Sequence, residues 1–396
     1  MEVKERKIKD SIYYVGAMHW DRRMFDNLIP LPDGTSYNSY LIEGDEKNAL
    51  IDTVDPEKSD ILMKNIESTG INKIDYIIAN HAEQDHSGSI PFILKRFPEA
   101  KVVTNEKCKN LLKEFLLIPE EQFIVVKDGD TLSLGGKTLQ FMFTPWVHWP
   151  ETMVTYLRED KVLFSCDFFG SHLATTDLFT EEDPKVKEDA KRYYAEIMMP
   201  FRTTIKKNIE KLEALDIEMI SPSHGPVYKR PSFIVNAYKN WISDRVENVV
   251  VLPYISMHGS VEEMAHYFTM RLVNYGITVK PFNLSVVDLG KLAMALVDAA
   301  TIIVASPMVL AGAHPLAVYA VHLVGALRPK AKFVSIIGSY GWGGRMVEQL
   351  QSLISSLQVE IIEPVLIKGY PKKEDFNSLD ELALKISDKH RGIGVL

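Results

Sequence analysis

Four side chains able to bind a metal fall within six residues, His81-Ala82-Glu83-Gln84-Asp85-His86. The run before them, Ile74-Asp75-Tyr76-Ile77-Ile78-Ala79, reads as a short buried strand. Ser87-Gly88-Ser89-Ile90-Pro91 after them reads as a turn into a helix. The chain must therefore fold so that the carboxyl end of a strand, held by a rigid sheet, faces a cleft. Alternation along an extended segment points His81, Glu83 and Asp85 one way, with His86 turned across them. A polar loop that merely caps a helix needs only Asp85 or Ser87, and leaves two histidines and a glutamate unexplained.

A chain of 396 residues is too long for one ordinary core, so two domains are expected. An apolar fraction of 46% and a charged fraction of 25% are those of a soluble globular protein. Met1 to Asp10 is charged and lacks the apolar core of a signal peptide. The apolar run Leu292 to Ala313 is interrupted by Asp298 and Pro307, and reads as a helix end, a buried strand and a loop, with no membrane span. The two cysteines, Cys108 and Cys166, make no disulfide framework and no Cys-based metal site; a reducing cytoplasm fits, with both as core residues. Residues 249–396 carry 13 Lys+Arg against 12 Asp+Glu, whereas residues 1–248 carry 32 against 41. Neither part has the basic face that nucleic acid requires.

Two rhythms divide the chain. Residues 1–248 are rich in short strands (Ser11-Tyr14, Ser39-Ile42, Ala49-Asp52, Lys101-Thr104, Met153-Leu157, Val162-Ser165, Glu218-Ile220) with helices outside them, such as Asp55 to Gly70 with Ile61, Leu62 and Ile66 on one face. The outline is an αββα sandwich. From Val249 five strands alternate with five helical segments, which is the pattern of a doubly wound parallel sheet in residues 249–396.

Three later strand ends in the first part each offer one more ligand: His148, Asp167 and His224. Together with His81, Glu83, Asp85 and His86 they make four imidazoles and three carboxylates, more than one tetrahedral zinc needs. Two metals sharing one carboxylate would use them all.

This spacing resembles the metallo-β-lactamase fold, whose hydrolases carry a His-x-His-x-Asp-His loop followed by His, Asp and His. Glu83 stands where those hydrolases have the second His, and a harder, more negative ligand moves preference from zinc toward iron or manganese. His-x-Glu-x-Asp-His is the mark of the flavodiiron proteins, and the chain resembles that family over essentially its whole length. The resemblance implies a metallo-β-lactamase-like diiron domain followed by a flavodoxin-like domain. It implies two irons per chain: His81, Glu83, His148 and bridging Asp167 on one, and Asp85, His86, bridging Asp167 and His224 on the other. It implies as well that Tyr193 or Tyr194 donates a hydrogen bond to a bound substrate. Phe25 and Trp149 are candidate apolar walls, or core.

In the second part, Ser256-Met257-His258-Gly259-Ser260-Val261 follows the first strand and opens a helix, offering backbone N–H groups and hydroxyls to a phosphate. An ordinary capped helix, with Ser260 and Glu263 as a capping box, is the plainer reading of this stretch alone. Ser306-Pro307-Met308-Val309-Leu310-Ala311-Gly312 and Ser339-Tyr340-Gly341-Trp342-Gly343 follow the third and fourth strands. The last pairs aromatics with glycines, so backbone can approach a flat ring that Tyr340 or Trp342 flanks. The three loops resemble those of flavodoxins, which hold FMN; His258 stands where a small hydroxylic residue is usual. By that resemblance the chain is expected to reduce dioxygen to water, nitric oxide to nitrous oxide, or both. It is expected to take electrons from rubredoxin or another external donor, and to work as a homodimer or a dimer of dimers. The competing expectation is a zinc hydrolase of the glyoxalase II kind with an appended flavodoxin-like domain.

Overall fold

A computed structural model describes residues 6–396. It forms two compact units. One holds the described residues up to Tyr194 together with Phe201–Ile242; the other holds Ala195–Pro200 and Ser243–Leu396.

The first unit is built on two seven-stranded sheets. In one, the strands Arg6–Lys9, Ile12–Tyr14, Tyr40–Glu43, Asn48–Ile51, Tyr76–Ile78, Lys101–Thr104 and Phe123–Val125 lie side by side in that order. The other runs Thr131–Ser133, Thr138–Phe143, Met153–Leu157, Val162–Cys166, Met219–Pro222, Val227–Tyr228 and Phe179–Thr180. Alternation along each strand sorts the side chains into layers. Tyr40, Ile42, Ile51, Ile78 and Val103 meet Phe141, Met153, Val162 and Phe164 between the sheets. Their neighbours Leu41, Leu50, Ile77 and Val102 pack outward on Leu62, Ile66, Ile93, Cys108 and Leu112 of the helices Ser59–Ser68, Ile90–Arg96 and Glu106–Leu116. On the far side, Leu163 and Ile220 share a groove with Ile209, Leu212 and Val235 of Arg202–Leu212 and Pro231–Ile242. The result is the αββα order expected. Ile61 is the exception to the helix reading: Leu62 and Ile66 are buried, but Ile61 is exposed, because it lies about 100° round the helix from Leu62.

The second unit holds one parallel sheet in the order Thr278–Asn283, Glu247–Tyr254, Ala299–Val309, Phe333–Tyr340, with Glu360–Ile361 and Val365–Lys368 together on the last edge. Numbered along the chain this order is 2-1-3-4-5, a doubly wound sheet of the flavodoxin kind. Val261, Met264, Phe268 and Leu272 of helix Ser260–Asn274 and Leu379, Leu382 and Ile386 of Phe376–Gly392 pack on one core with Val250 and Leu252. Near the start of this unit the buried His390 ring is pinned at both nitrogens, by Asn248 Oδ1 (2.7 Å) and Thr301 Oγ1 (2.7 Å). No helix among the described residues is long and apolar enough to cross a membrane.

Candidate metal centre and flavin loops

Thr138–Phe143 and Val162–Cys166 are each antiparallel to Met153–Leu157, and Val162–Cys166 is parallel to Met219–Pro222. The three strands that precede His148, Asp167 and His224 therefore run the same way and deliver their loops to one end of the sandwich. Tyr76–Ile78 of the facing sheet delivers His81 there too. The segment after His81 is not extended as expected: Gln84–Ser87 closes one helical turn. That turn, and not alternation, swings Asp85 and His86 away from Glu83 and toward the opposite side of the cluster.

All seven side chains converge. His81, Glu83, His148 and Asp167 form one group of potential ligands, and Asp85, His86 and His224 another; in each, ligand atoms lie within 4.8 Å of one another. Asp167 divides its two oxygens between them. Oδ2 is 3.5 Å from Nε2 of both His81 and His148, while Oδ1 is 2.9 Å from His86 Nε2 and 3.4 Å from His224 Nε2. Glu83 Oε2 completes the first side at 3.1 and 3.0 Å from His81 and His148 Nε2. Asp85 completes the second, 3.2 Å from His224 Nε2 and 3.3 Å from His86 Nε2.

The outer atoms of these rings are fixed. His81 Nδ1–H donates to Glu151 Oε1 (2.7 Å), which also accepts from the Ala82 N–H (3.1 Å). His224 Nδ1–H donates to the Ser36 carbonyl (2.7 Å). Both rings therefore turn Nε2 inward, as imidazoles that bind metals do. Tyr193 donates from its hydroxyl to Asp167 Oδ1 (2.8 Å). Gly225, at φ +79°, lets the His224 loop close on Ser171, whose Oγ would collide with a Cβ there.

Burial alone would depress the His148 imidazole, but the Asp167 and Glu83 carboxylates push it up to about 9. Against the same burial, Asp167 and Asp85 raise His224 to about 10. Burial would raise Glu83 and Asp167, yet the surrounding imidazoles hold both well below the usual carboxylate range. The cage thus demands positive charge inside it. Both oxygens of Asp85, Asp167 Oδ2 and His86 Nε2 are buried without a hydrogen-bond partner among the described residues. Hard oxygens and imidazole nitrogens turned inward, two of the oxygens on a shared carboxylate, fit a pair of iron-like cations. Cys166 Sγ lies within the same reach of His86 and Asp167, but burial holds its thiol well above the ordinary value, so it stays a core residue as expected.

A cleft of about 570 Å³ opens onto Glu83 and Asp85, with Phe25, Asp26, Phe115 and Trp149 on its walls. Phe25 and Trp149 belong to the site: the Trp149 ring stands edge-on to His81 at 4.9 Å, and Phe25 lies 5.2 Å from the ring of His172. Tyr194 does not: its hydroxyl reaches the Trp241 carbonyl at 3.4 Å and its ring packs on Tyr238 and Trp241. The reason is geometric, since successive residues at the end of helix Pro184–Tyr193 diverge by about 100°. Of the two tyrosines, Tyr193 is the one whose hydroxyl reaches the cage, where it donates to Asp167. Sequence reasoning missed Glu151 and His172. Both lie in loops beside recognised ligands, but neither has a motif of its own.

In the second unit, the ends of strands 1, 3 and 4 are neighbours in the sheet, so the three expected loops lie side by side at its carboxyl edge. Gly259 adopts φ +83° and caps helix Ser260–Asn274 with no side-chain hydrogen bond. The expected capping box is therefore absent: Ser260 is already inside the helix, and its Oγ donates to Ser339 Oγ (3.1 Å). Ser256 Oγ is buried and has no partner among the described residues. Met257 and His258 complete this turn ahead of buried Val261. Ser306 Oγ accepts from the His314 N–H (3.1 Å). Pro307, Met308 and Val309 end the strand, which turns back so that Val309 pairs with Gly312. A Cβ on Gly341 or Gly343 would meet nothing within 4 Å, and Trp342 beside Tyr340 is 72% exposed. Free N–H groups at a helix start, an unpartnered hydroxyl and an open glycine–aromatic loop fit a phosphate joined to a flat ring.

Residues 35–225 match a family profile described as "ODP family beta lactamase". A nitric oxide reductase of Moorella thermoacetica is 35% identical over 389 residues, covering 96% of this chain and 97% of that one. The solved rubredoxin oxygen:oxidoreductase of Desulfovibrio gigas is 31% identical with a TM-score of 0.95, covering 98% of this chain and 99% of that one. The flavodiiron protein of Giardia intestinalis is 26% identical with a TM-score of 0.91, covering 99% and 98%. The chain belongs to the flavodiiron protein family. In this flavodiiron protein, the two halves of the Asp167 cage have the donor set of a metal pair, and the loops of the second unit have the open glycine–aromatic character described above.

Proposed function

We propose that the chain reduces dioxygen to water, nitric oxide to nitrous oxide, or both, in a diiron domain of residues 1–248 fed by an FMN domain of residues 249–396. It is an oxidoreductase that uses non-haem iron and FMN. The observation that carries the reading is the division of Asp167 between two ligand groups. In this reading His81, Glu83, His148 and Asp167 hold one iron, and Asp85, His86, His224 and Asp167 the other. Irons held there would supply the redox chemistry on the gas, and FMN would supply the electrons. The chain's own residues do the rest. Glu83 and Asp85 line the floor of the access cleft, Phe25 and Trp149 keep its walls apolar for a small gas, and Tyr193 orients the shared carboxylate. Ser256, the turn at Gly259 and the N-terminus of helix Ser260–Asn274 would hold the FMN phosphate, with Ser306 to Gly312 and Ser339 to Gly343 along the ring system. The zinc-hydrolase reading is set aside, because relatives matched along their whole length are named as oxidoreductases.

The donor is external, with rubredoxin the first choice from the name of one relative, and the protein works in the cytoplasm. The assembly is a head-to-tail homodimer, alone or paired into a tetramer, in which each FMN serves the partner's irons. Consumption of each gas by fully loaded protein under a matched donor tests the reaction; no consumption of either gas would overturn it. Mixing an Asp167→Ala variant with one unable to bind FMN tests the assembly. Confirmed subunit exchange should restore part of the activity, and activity that stays at zero would mean transfer within one chain.

A further inference from the structure

His172 is buried on the rim of the metal cage, outside both ligand groups. Its ring lies 4.7 Å from that of His224, 4.8 Å from Tyr193 and 5.2 Å from Phe25 of the access cleft. Two adjacent residues hold the two histidines. The Ser36 carbonyl takes the Nδ1–H of His224 (2.7 Å), and Thr35 Oγ1 sits 2.9 Å from Nδ1 of His172. The Thr35 hydroxyl has one hydrogen and three neighbours to choose from. His224 Nδ1, at 3.4 Å, is already a donor, and the Ser36 carbonyl lies at 3.3 Å. The shortest contact is to His172 Nδ1, and in one of the ring's two tautomers that nitrogen accepts the hydroxyl hydrogen. Accepting there makes Nδ1 the lone-pair nitrogen and leaves the proton on Nε2. That Nε2 is buried and has no hydrogen-bond partner among the described residues. A buried N–H without an acceptor is costly. The backbone keeps the ring in place, with the Ser171 N–H donating to the His224 carbonyl (3.2 Å) and the Ala174 N–H to the Asp33 carbonyl (3.0 Å).

We propose that the Nε2–H of His172 donates a hydrogen bond to the small ligand bound at the metal centre, making His172 a substrate-contacting residue. The inference rests on the reading that the cage holds the irons. The Tyr193 hydroxyl donates to Asp167, whereas His172 Nε2 has no partner among the described residues.

The test uses the fully loaded holoenzyme in its oxidised state with azide as the probe anion. His172→Leu removes the donor, His172→Gln keeps an N–H, and Thr35→Val removes the hydroxyl that fixes the tautomer. Iron and FMN per chain are counted for each variant, which separates failure of the diiron reading from failure of this one. His172→Leu should weaken azide binding about tenfold and abolish the shift of the azide stretch between H2O and D2O. His172→Gln should recover most of the affinity, and Thr35→Val should fall between. A purely structural His172 would lower iron content alike in Leu and Gln variants without moving the azide stretch, and that result would overturn the proposal. So would unchanged azide affinity in His172→Leu with iron retained. If His172→Leu loses its iron, Thr35→Val decides: an affinity and D2O shift equal to wild type would likewise overturn it.

Discussion

The metal cage and the flavin loops are built on opposite plans. The cage gathers seven ionisable side chains from four loops of two sheets, buries them, and satisfies their charges against one another. The flavin loops follow neighbouring strands of one sheet and leave their tips exposed, offering backbone N–H groups, small hydroxyls and one exposed indole. A site of the first kind fails at a single residue, because removing one partner leaves a buried charge uncompensated. A site of the second kind spreads its contacts over backbone that no side-chain change removes.

That contrast can be broken experimentally, beginning with the change of largest effect. Asp167→Ala should abolish stoichiometric binding of both metals while leaving FMN at the wild-type level, since it deletes the carboxylate whose two oxygens face both ligand groups. Retention of one full metal equivalent in elemental analysis would show that Asp167 does not bridge. Glu151→Ala should weaken metal binding by about 10- to 100-fold, because His81 loses the acceptor that fixes its tautomer. Competition with a chelator would measure it, and FMN content should not move. Trp342→Ala should weaken FMN by at most about tenfold without touching metal content, as flavin fluorescence titration would register. A total loss of FMN there would mean that the second site is as brittle as the first.

The smallest effect is on stability. Burial holds the His390 imidazole down at about 4, against an ordinary value near 6.5. The folded chain therefore refuses a proton that the unfolded chain accepts. His390 contributes its full stability above pH 6.5, and the contribution falls away as pH drops from there toward 4. Thermal unfolding between pH 7 and 5 should show a decline that His390→Gln reduces; an equal decline in both would assign it elsewhere.

The two plans also decide what a sequence reveals. Period-two runs and strand–helix alternation expose both sheets, and ligands at strand ends expose the cage, because those signals are local. What escaped is set by tertiary packing. Glu151 and His172 acquire roles only when loops 70 and 137 residues apart in sequence meet at His81 and Thr35. The helical turn at Gln84–Ser87 overrides alternation that the hexapeptide alone would allow. Tyr193 and Tyr194 are chemically identical neighbours, and only the helix phase sends one to Asp167 and the other to Trp241. At Ser260 the capping signal was real, but Gly259 with its positive φ starts the helix one residue earlier.

In the proposed reading, one chain carries both a two-iron cage and a flavin loop set. It is tested most directly by elemental analysis and flavin content of protein produced with ample iron and zinc together. About two irons and one FMN per chain are expected, with zinc well below stoichiometry, because Glu83 stands where a zinc site would use imidazole. Two zincs per chain with little iron, or a chain that folds and takes up no FMN, would contradict it.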